Sequence, residues 1–217
     1  MRTIALVRMA VACTWRSWRW LPPYVITVAS LALLYMVPSG AALPAFAVTT
    51  VVLVPVTAWL VAATGNVDDE PHQRLLGAAT SVARVHLSRL LAGLLLAVPL
   101  VVLAPLWPLV IGAVARPRGV GGLVRTVGVG LAAHAVGALL GGAIGTFGHR
   151  PVLRRTGGAA IVAVLGTMLI VLAPPLLPFL HALGHDRARS VLWAVPAAAG
   201  LAAVAAGVGA RIAVRRM

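Results

Sequence analysis

The chain has 217 residues, 61% of them hydrophobic, a mean hydropathy of +1.01 and a net charge of +14. Soluble domains hold about 45–50% apolar residues; here the excess falls in long runs, which places the chain among membrane proteins. The basic residues sit at the ends of those runs, where topology determinants lie, and no soluble domain is visible to carry a nucleic-acid patch, so no nucleic-acid partner is expected.

Residues 2–20, RTIALVRMAVACTWRSWRW, predict an amphipathic helix lying in the membrane interface. With about 100° between successive residues, Arg2, Arg8, Arg16 and Arg19 share one arc of about 120°. Ile4, Val7, Val11, Trp15 and Trp18 fall outside that arc, with tryptophan at headgroup depth. Pro22 and Pro23 separate this helix from the first span. Arg8 interrupts the first apolar run, so the segment does not read as a signal peptide. Cys13, the one cysteine, excludes an intrachain disulfide and an all-cysteine metal site.

Six apolar spans follow, at about 21–37, 42–64, 90–114, 122–147, 156–180 and 190–210, each near the roughly 20 residues that cross hydrocarbon. The expected fold is therefore all-α: a polytopic membrane protein, residues 1–217 forming one transmembrane domain. The links 38–41 and 181–189 are short, and the long polar linker is 65–89. With the N-terminus inside, thirteen arginines (2, 8, 16, 19, 74, 84, 89, 150, 154, 155, 211, 215 and 216) fall on inner segments. Five (116, 118, 125, 187 and 189) fall outside. This bias predicts both termini in the cytoplasm and location in the cell membrane.

Spans four and six are rich in glycine and alanine, which lets helix backbones approach closely. Spans two, three and five carry internal prolines. The stretch APPLLPFLHALGH, 173–185, cannot be one regular helix, and 174–189 reads as an outer re-entrant or surface segment.

Catalysis has little to build on. All 18 basic residues are arginine. A phosphate-binding P-loop needs a lysine, as do Schiff-base and Ser/Lys chemistries, so no standard nucleotide site is expected in this chain. His134 is the one ionisable residue deep in a span, and a lone histidine there reads as a packed neutral side chain. Ser39–Gly40 lacks the following histidine of lipid-phosphatase motifs, having Ala41, and the glycine that rhomboid motifs need at Val37. His181 and His185, with Asp186 adjacent, have zinc-compatible spacing but no further ligand nearby, and read as an exposed turn. The chain is not expected to be an enzyme or to bind a metal.

Three of the four acids stand together at Asp68, Asp69 and Glu70. They precede Pro71 and a short helix over 71–80, with Leu75, Leu76 and Ala79 on one side. Acids favour the positive end of a helix, and proline suits its first turn. Such a helix at the inner membrane face is a docking element.

The stretch DEPHQRLLGAATSVARVHLSRLLAGLLL resembles the first cytoplasmic segment of ABC-2 type transporter permeases. In that family an acid precedes a short helix with a Leu-Leu pair, then a small turn, then a basic residue opening the third span. Glu70, Leu75–Leu76, Thr80, Arg84 and Arg89 take those places, while Pro71–His72–Gln73–Arg74 replaces the family's Gly-Thr pair. The layout also agrees: N-terminal amphipathic helix, six spans and a broken outer segment.

The resemblance implies a transport subunit, with 65–89 as the cytoplasmic coupling segment docking onto a separate ATPase chain that holds ATP and magnesium. Glu70, Arg74, Leu75, Leu76 and Arg84 would make the coupling contacts. A second permease subunit, identical or different, and membrane lipid are the other implied partners. Few intramembrane charges suit an exported hydrophobic or amphipathic substrate, with Thr49, Thr50, Thr57, His134 and Thr167 as pathway candidates. The alternative is a non-transporting accessory or scaffold subunit with the same topology.

Overall fold

The structure, a computed structural model, describes residues 2–37, 40–115, 117–148, 165–168 and 188–216. Their regular structure is helical: α1 (Arg2–Arg16), α2 (Leu21–Leu34), α3 (Ala42–Gly65), α4 (Glu70–Ala79), α5 (Val82–Val110), α6 (Gly119–Gly145) and α7 (Ala188–Arg216). Four helices among the described residues are long and apolar enough to cross a membrane: Ala42–Gly65, Val82–Val110, Gly119–Gly145 and Trp193–Arg215. Their outward faces agree with a membrane setting. On α5, Leu87, Leu91, Leu95, Val98 and Val102 are all exposed and follow one helical stripe, a surface that water would not tolerate at this extent. The described residues are thus helical in their regular structure, and their apolar helices fit a membrane-embedded protein.

The first apolar run differs from the expected span. α2 has 14 residues, about 21 Å at the helical rise of 1.5 Å, against about 30 Å of hydrocarbon. α5 begins at Val82 rather than near residue 90, because Ser81 caps it: the Ser81 hydroxyl accepts from the Arg84 amide at 3.2 Å. The polar linker is correspondingly shorter than 65–89. The expected fifth span, 156–180, and outer segment, 174–189, lie outside the described residues apart from the helical stretch 165–168 and the start of α7.

α1 ends at Arg16, four residues before the expected end. Trp18 adopts φ 58°, which stops the helix, and the corner into α2 is closed by aromatic packing. Trp15 and Trp20 stack at 4.3 Å, and Tyr24 meets Trp20 edge-on at 5.1 Å. The helix has three faces rather than two. Leu6, Ala10 and Thr14 are buried, at the i, i+4, i+8 spacing of one stripe, and α1 packs along α5. Going round the helix from that stripe, Ile4 and Trp15 are exposed first, with Arg8 and Arg16 exposed next to them and beyond.

α3 lies at the centre, packed on α2, α5 and α6, with its most extensive contact along α6. Phe46, Leu53, Leu60, Leu100, Ala133 and Leu140 anchor the core between these helices. Small residues set the α3–α6 spacing. A methyl at Gly137 would lie 2.7 Å from the Thr50 carbonyl oxygen, and one at Gly141 would overlap the backbone at Val54. At the end of the bundle away from α4, Gly40 pairs with Val114 in an isolated bridge, and the Ala115 amide donates to the Gly40 carbonyl at 2.6 Å.

Alanine at Gly141 should destabilise the bundle by about 1–3 kcal/mol through overpacking. Alanine at Gly128, on the same helix with nothing within 4 Å, should be neutral or stabilising by up to about 1 kcal/mol, because glycine weakens a helix interior. Thermal unfolding of both variants in the same lipid environment checks the opposite signs.

Candidate functional site

The polar residues gather at one end of the bundle, around the carboxyl end of α3. A helix leaves its last four carbonyls without intrahelical partners, and here they are buried, so each needs a donor. The Asn66 amide serves Ala62 and Ala63 at 3.1 and 3.2 Å, and the Asn66 side-chain Nδ2 adds a bond to Ala62 at 2.9 Å. Arg89 Nη1, on α5, donates to Gly65 at 3.0 Å and reaches Thr64 at 3.5 Å. Gln73 Nε2, on α4, donates to the same Gly65 carbonyl at 3.1 Å and to the Asp68 carbonyl at 3.1 Å. Arg19, from the α1–α2 corner, donates to the Asn66 carbonyl.

Arg89 is the centre of this arrangement. Its Nη2 pairs with the Asp68 carboxylate at 2.5 Å, and the two side chains keep only 4% and 11% of their accessibility. The tie also runs the other way, since the Thr64 hydroxyl donates to the Arg89 backbone carbonyl at 3.0 Å. A cation at the carboxyl end of a helix is favoured by the helix dipole, and the carboxylate neutralises it where water is excluded.

Each of the three clustered acids was expected to serve the helix that follows, and the structure separates two of them. Asp69 is the N-cap of α4, its Oδ1 accepting from the His72 amide at 3.1 Å. Asp68 faces the other way and holds Arg89. Glu70 and Arg74 are placed in α4 by their backbones.

α4 ends at Thr80, whose amide and hydroxyl both donate to the Leu76 carbonyl. Its buried anchor is Gln73. Pro71, His72, Leu75, Ala78 and Ala79 are exposed, at the i, i+1, i+4, i+7, i+8 positions of one face. Leu75 stands out of the protein at 69% exposure, whereas Leu76 is half-buried, so the expected Leu75–Leu76 side is split. Arg84 is half-buried on the first turn of α5.

The pathway candidates lie elsewhere. Thr49, Thr50, Thr57 and His134 are buried along the α3–α6 seam. His134 Nδ1 is 2.7 Å from the Gly130 carbonyl, which can only accept, so Nδ1 carries the proton. In the neutral ring Nε2 then accepts from the Thr49 hydroxyl at 2.8 Å. Phe46 packs edge-on against the ring at 5.8 Å. His134 is therefore a bonded core residue. Thr50 and Thr57 sit where α6 glycines approach α3. Thr167 is half-buried in the stretch 165–168, and its neighbour Gly166 lies against Ile144 of α6.

Among the described residues no group of three or more His, Cys, Asp or Glu side chains could hold a metal ion. His181, His185 and Asp186 lie outside them.

The roles of Asp68, Gln73 and Arg19 escape helical-periodicity reasoning, because their partners belong to other elements. One signal was present for the first. Arg89 enters an apolar run with no acid in its own helix, and nearly all of the chain's acids stand at 68–70.

Compared with known proteins, the chain matches no family model, no curated protein and no solved structure.

Removing Arg89 as alanine leaves the Asp68 carboxylate buried without its donor and the Gly65 carbonyl with Gln73 alone, and should cost about 3–5 kcal/mol of stability. Arg89→Lys, which keeps a charge but not the fork, should cost less. Unfolding midpoints of both variants in lipid nanodiscs measure the order.

Proposed function

We propose that the chain is the membrane subunit of an ATP-driven transporter of the ABC-2 permease type, with α4 as the helix that docks onto a separate ATPase. One observation carries this reading. A short, N-capped helix connects two membrane-length helices, is fastened to them through one buried face, and leaves Pro71, His72, Leu75 and Ala79 outward. A loop that merely joined two spans would need neither a cap nor a buried glutamine. An exposed leucine on a fixed helix offers apolar contact to a partner.

In this reading α4 lies in the cytoplasm with both termini, in the cell membrane. The six expected spans are the run holding α2, the four long helices, and 156–180, which lies outside the described residues apart from 165–168. ATP binding closes the partner ATPase chains, α4 follows, and the bundle shifts as a nearly rigid body against a second permease subunit. Glu70, Arg74, Leu75, Leu76 and Arg84 are the coupling residues, with Leu75 the outermost of those whose side chains are described. The scarcity of charge in the long helices supports export of a hydrophobic or amphipathic substrate.

A second reading, a non-transporting accessory subunit, draws on the α3–α6 seam. Thr49, Thr50, Thr57 and His134 are enclosed there by one chain's own packing, leaving them no opening of their own.

Affinity capture of the full chain from its native membranes, with identification of the co-purifying proteins, tests the proposal. An ATPase chain should be recovered with the wild type and lost with Leu75→Asp, while the unfolding midpoint of that variant stays unchanged because Leu75 is exposed. Recovery of no ATPase with the wild type would refute the permease reading and leave the accessory one.

A further inference from the structure

The ends of α3, α4 and α5 are joined covalently by two short connections, at 66–69 and at Thr80–Ser81. Backbone alone would let α4 pivot on both. Two side-chain ties prevent this, and both end on the Gly65 carbonyl. Gln73 reaches it from α4 and Arg89 reaches it from α5, each within 3.1 Å. Arg89 then closes the loop by holding the Asp68 carboxylate, in the connection that leads into α4. The reverse bond, from Thr64 of α3 to the Arg89 backbone, fixes the two membrane helices to each other at the same level.

From this geometry we propose that Arg89, held by Asp68, is a positioning residue that makes the ends of α3, α4 and α5 one body, so that displacement of α4 reaches both membrane helices together. The proposal rests on the reading of α4 as a docking helix and adds which residues transmit its movement. None of them needs to touch the partner. Arg89 is almost wholly enclosed, and Gln73 is buried on the side of α4 away from the exposed Leu75. The pair therefore differs in kind from the docking face: changing it should leave partner binding intact and alter what binding accomplishes.

Asp68→Asn is the informative change, because it keeps the size of the side chain and removes the charge that holds the guanidinium. The full chain, co-purified with its ATPase and placed in lipid vesicles, is assayed for substrate moved per ATP hydrolysed, for the amount of ATPase bound, and for its unfolding midpoint. Asp68→Asn should bind the ATPase as the wild type does and lower substrate moved per ATP by about tenfold. Asp68→Glu, which restores the charge, should recover most of that loss. Should Asp68→Asn prove unfolded, Gln73→Leu removes the α4 tie while leaving the ion pair in place, and the same fall in coupling with retained binding is expected of it.

Wild-type coupling in whichever of the two variants folds, or a loss of coupling that only parallels lost binding, would overturn the proposal while leaving the permease reading in place. A wild-type chain that couples to no ATPase would overturn that reading, and this proposal with it.

Discussion

The carboxyl end of α3 is a buried helix end, and satisfying it organises the polar half of this protein. Its last carbonyls cannot turn to water, so their donors are brought in from elsewhere: Asn66 from the following turn, Gln73 from α4 and Arg89 from α5. An unsatisfied buried carbonyl costs about 1–3 kcal/mol, so these donors fix the positions of the elements that carry them. α4 is held in place as a consequence of α3 needing to end inside the protein.

The remainder of the fold supplies a frame for that end. Along the α3–α6 seam glycines replace side chains, and the two backbones come into direct contact at Gly137 and Gly141. Where polar groups do occur in the seam, Thr49, His134 and the Gly130 carbonyl bond to one another in series. Close packing of this kind makes a helix pair behave as a rigid unit, while the leucine and valine stripe on α5 faces outward. Rigidity in the seam and fixation at the α3 end together let a force applied to α4 be passed on rather than absorbed.

Much of this was legible in the sequence. Long apolar runs predict the membrane helices at 42–64 and 122–147 to within a few residues of α3 and α6. The acid–proline pattern predicts α4, and the Gly/Ala content of span four predicts its close packing. What the sequence concealed is what depends on tertiary partners. Asp68 and Asp69 are adjacent and chemically alike, yet one caps a helix and the other binds an arginine 21 residues away. Residues 82–89 look like linker because they carry Arg84, His86 and Arg89, but Ser81 caps a helix there and His86 and Arg89 are buried by their neighbours. The third face of α1 was hidden for the same reason: Ala10 and Thr14 are weakly apolar, and only packing against α5 makes them core.

A fixed α4 is the claim from which the functional reading follows. Hydrogen–deuterium exchange of the full chain in lipid nanodiscs measures it directly. In a held α4 the amides from Gln73 to Thr80 exchange far more slowly than in an unstructured chain, with that protection falling when Arg89 is replaced by lysine. Exchange of those amides at the unstructured rate in the wild type would show a solvated loop in place of a held helix, and would contradict the claim.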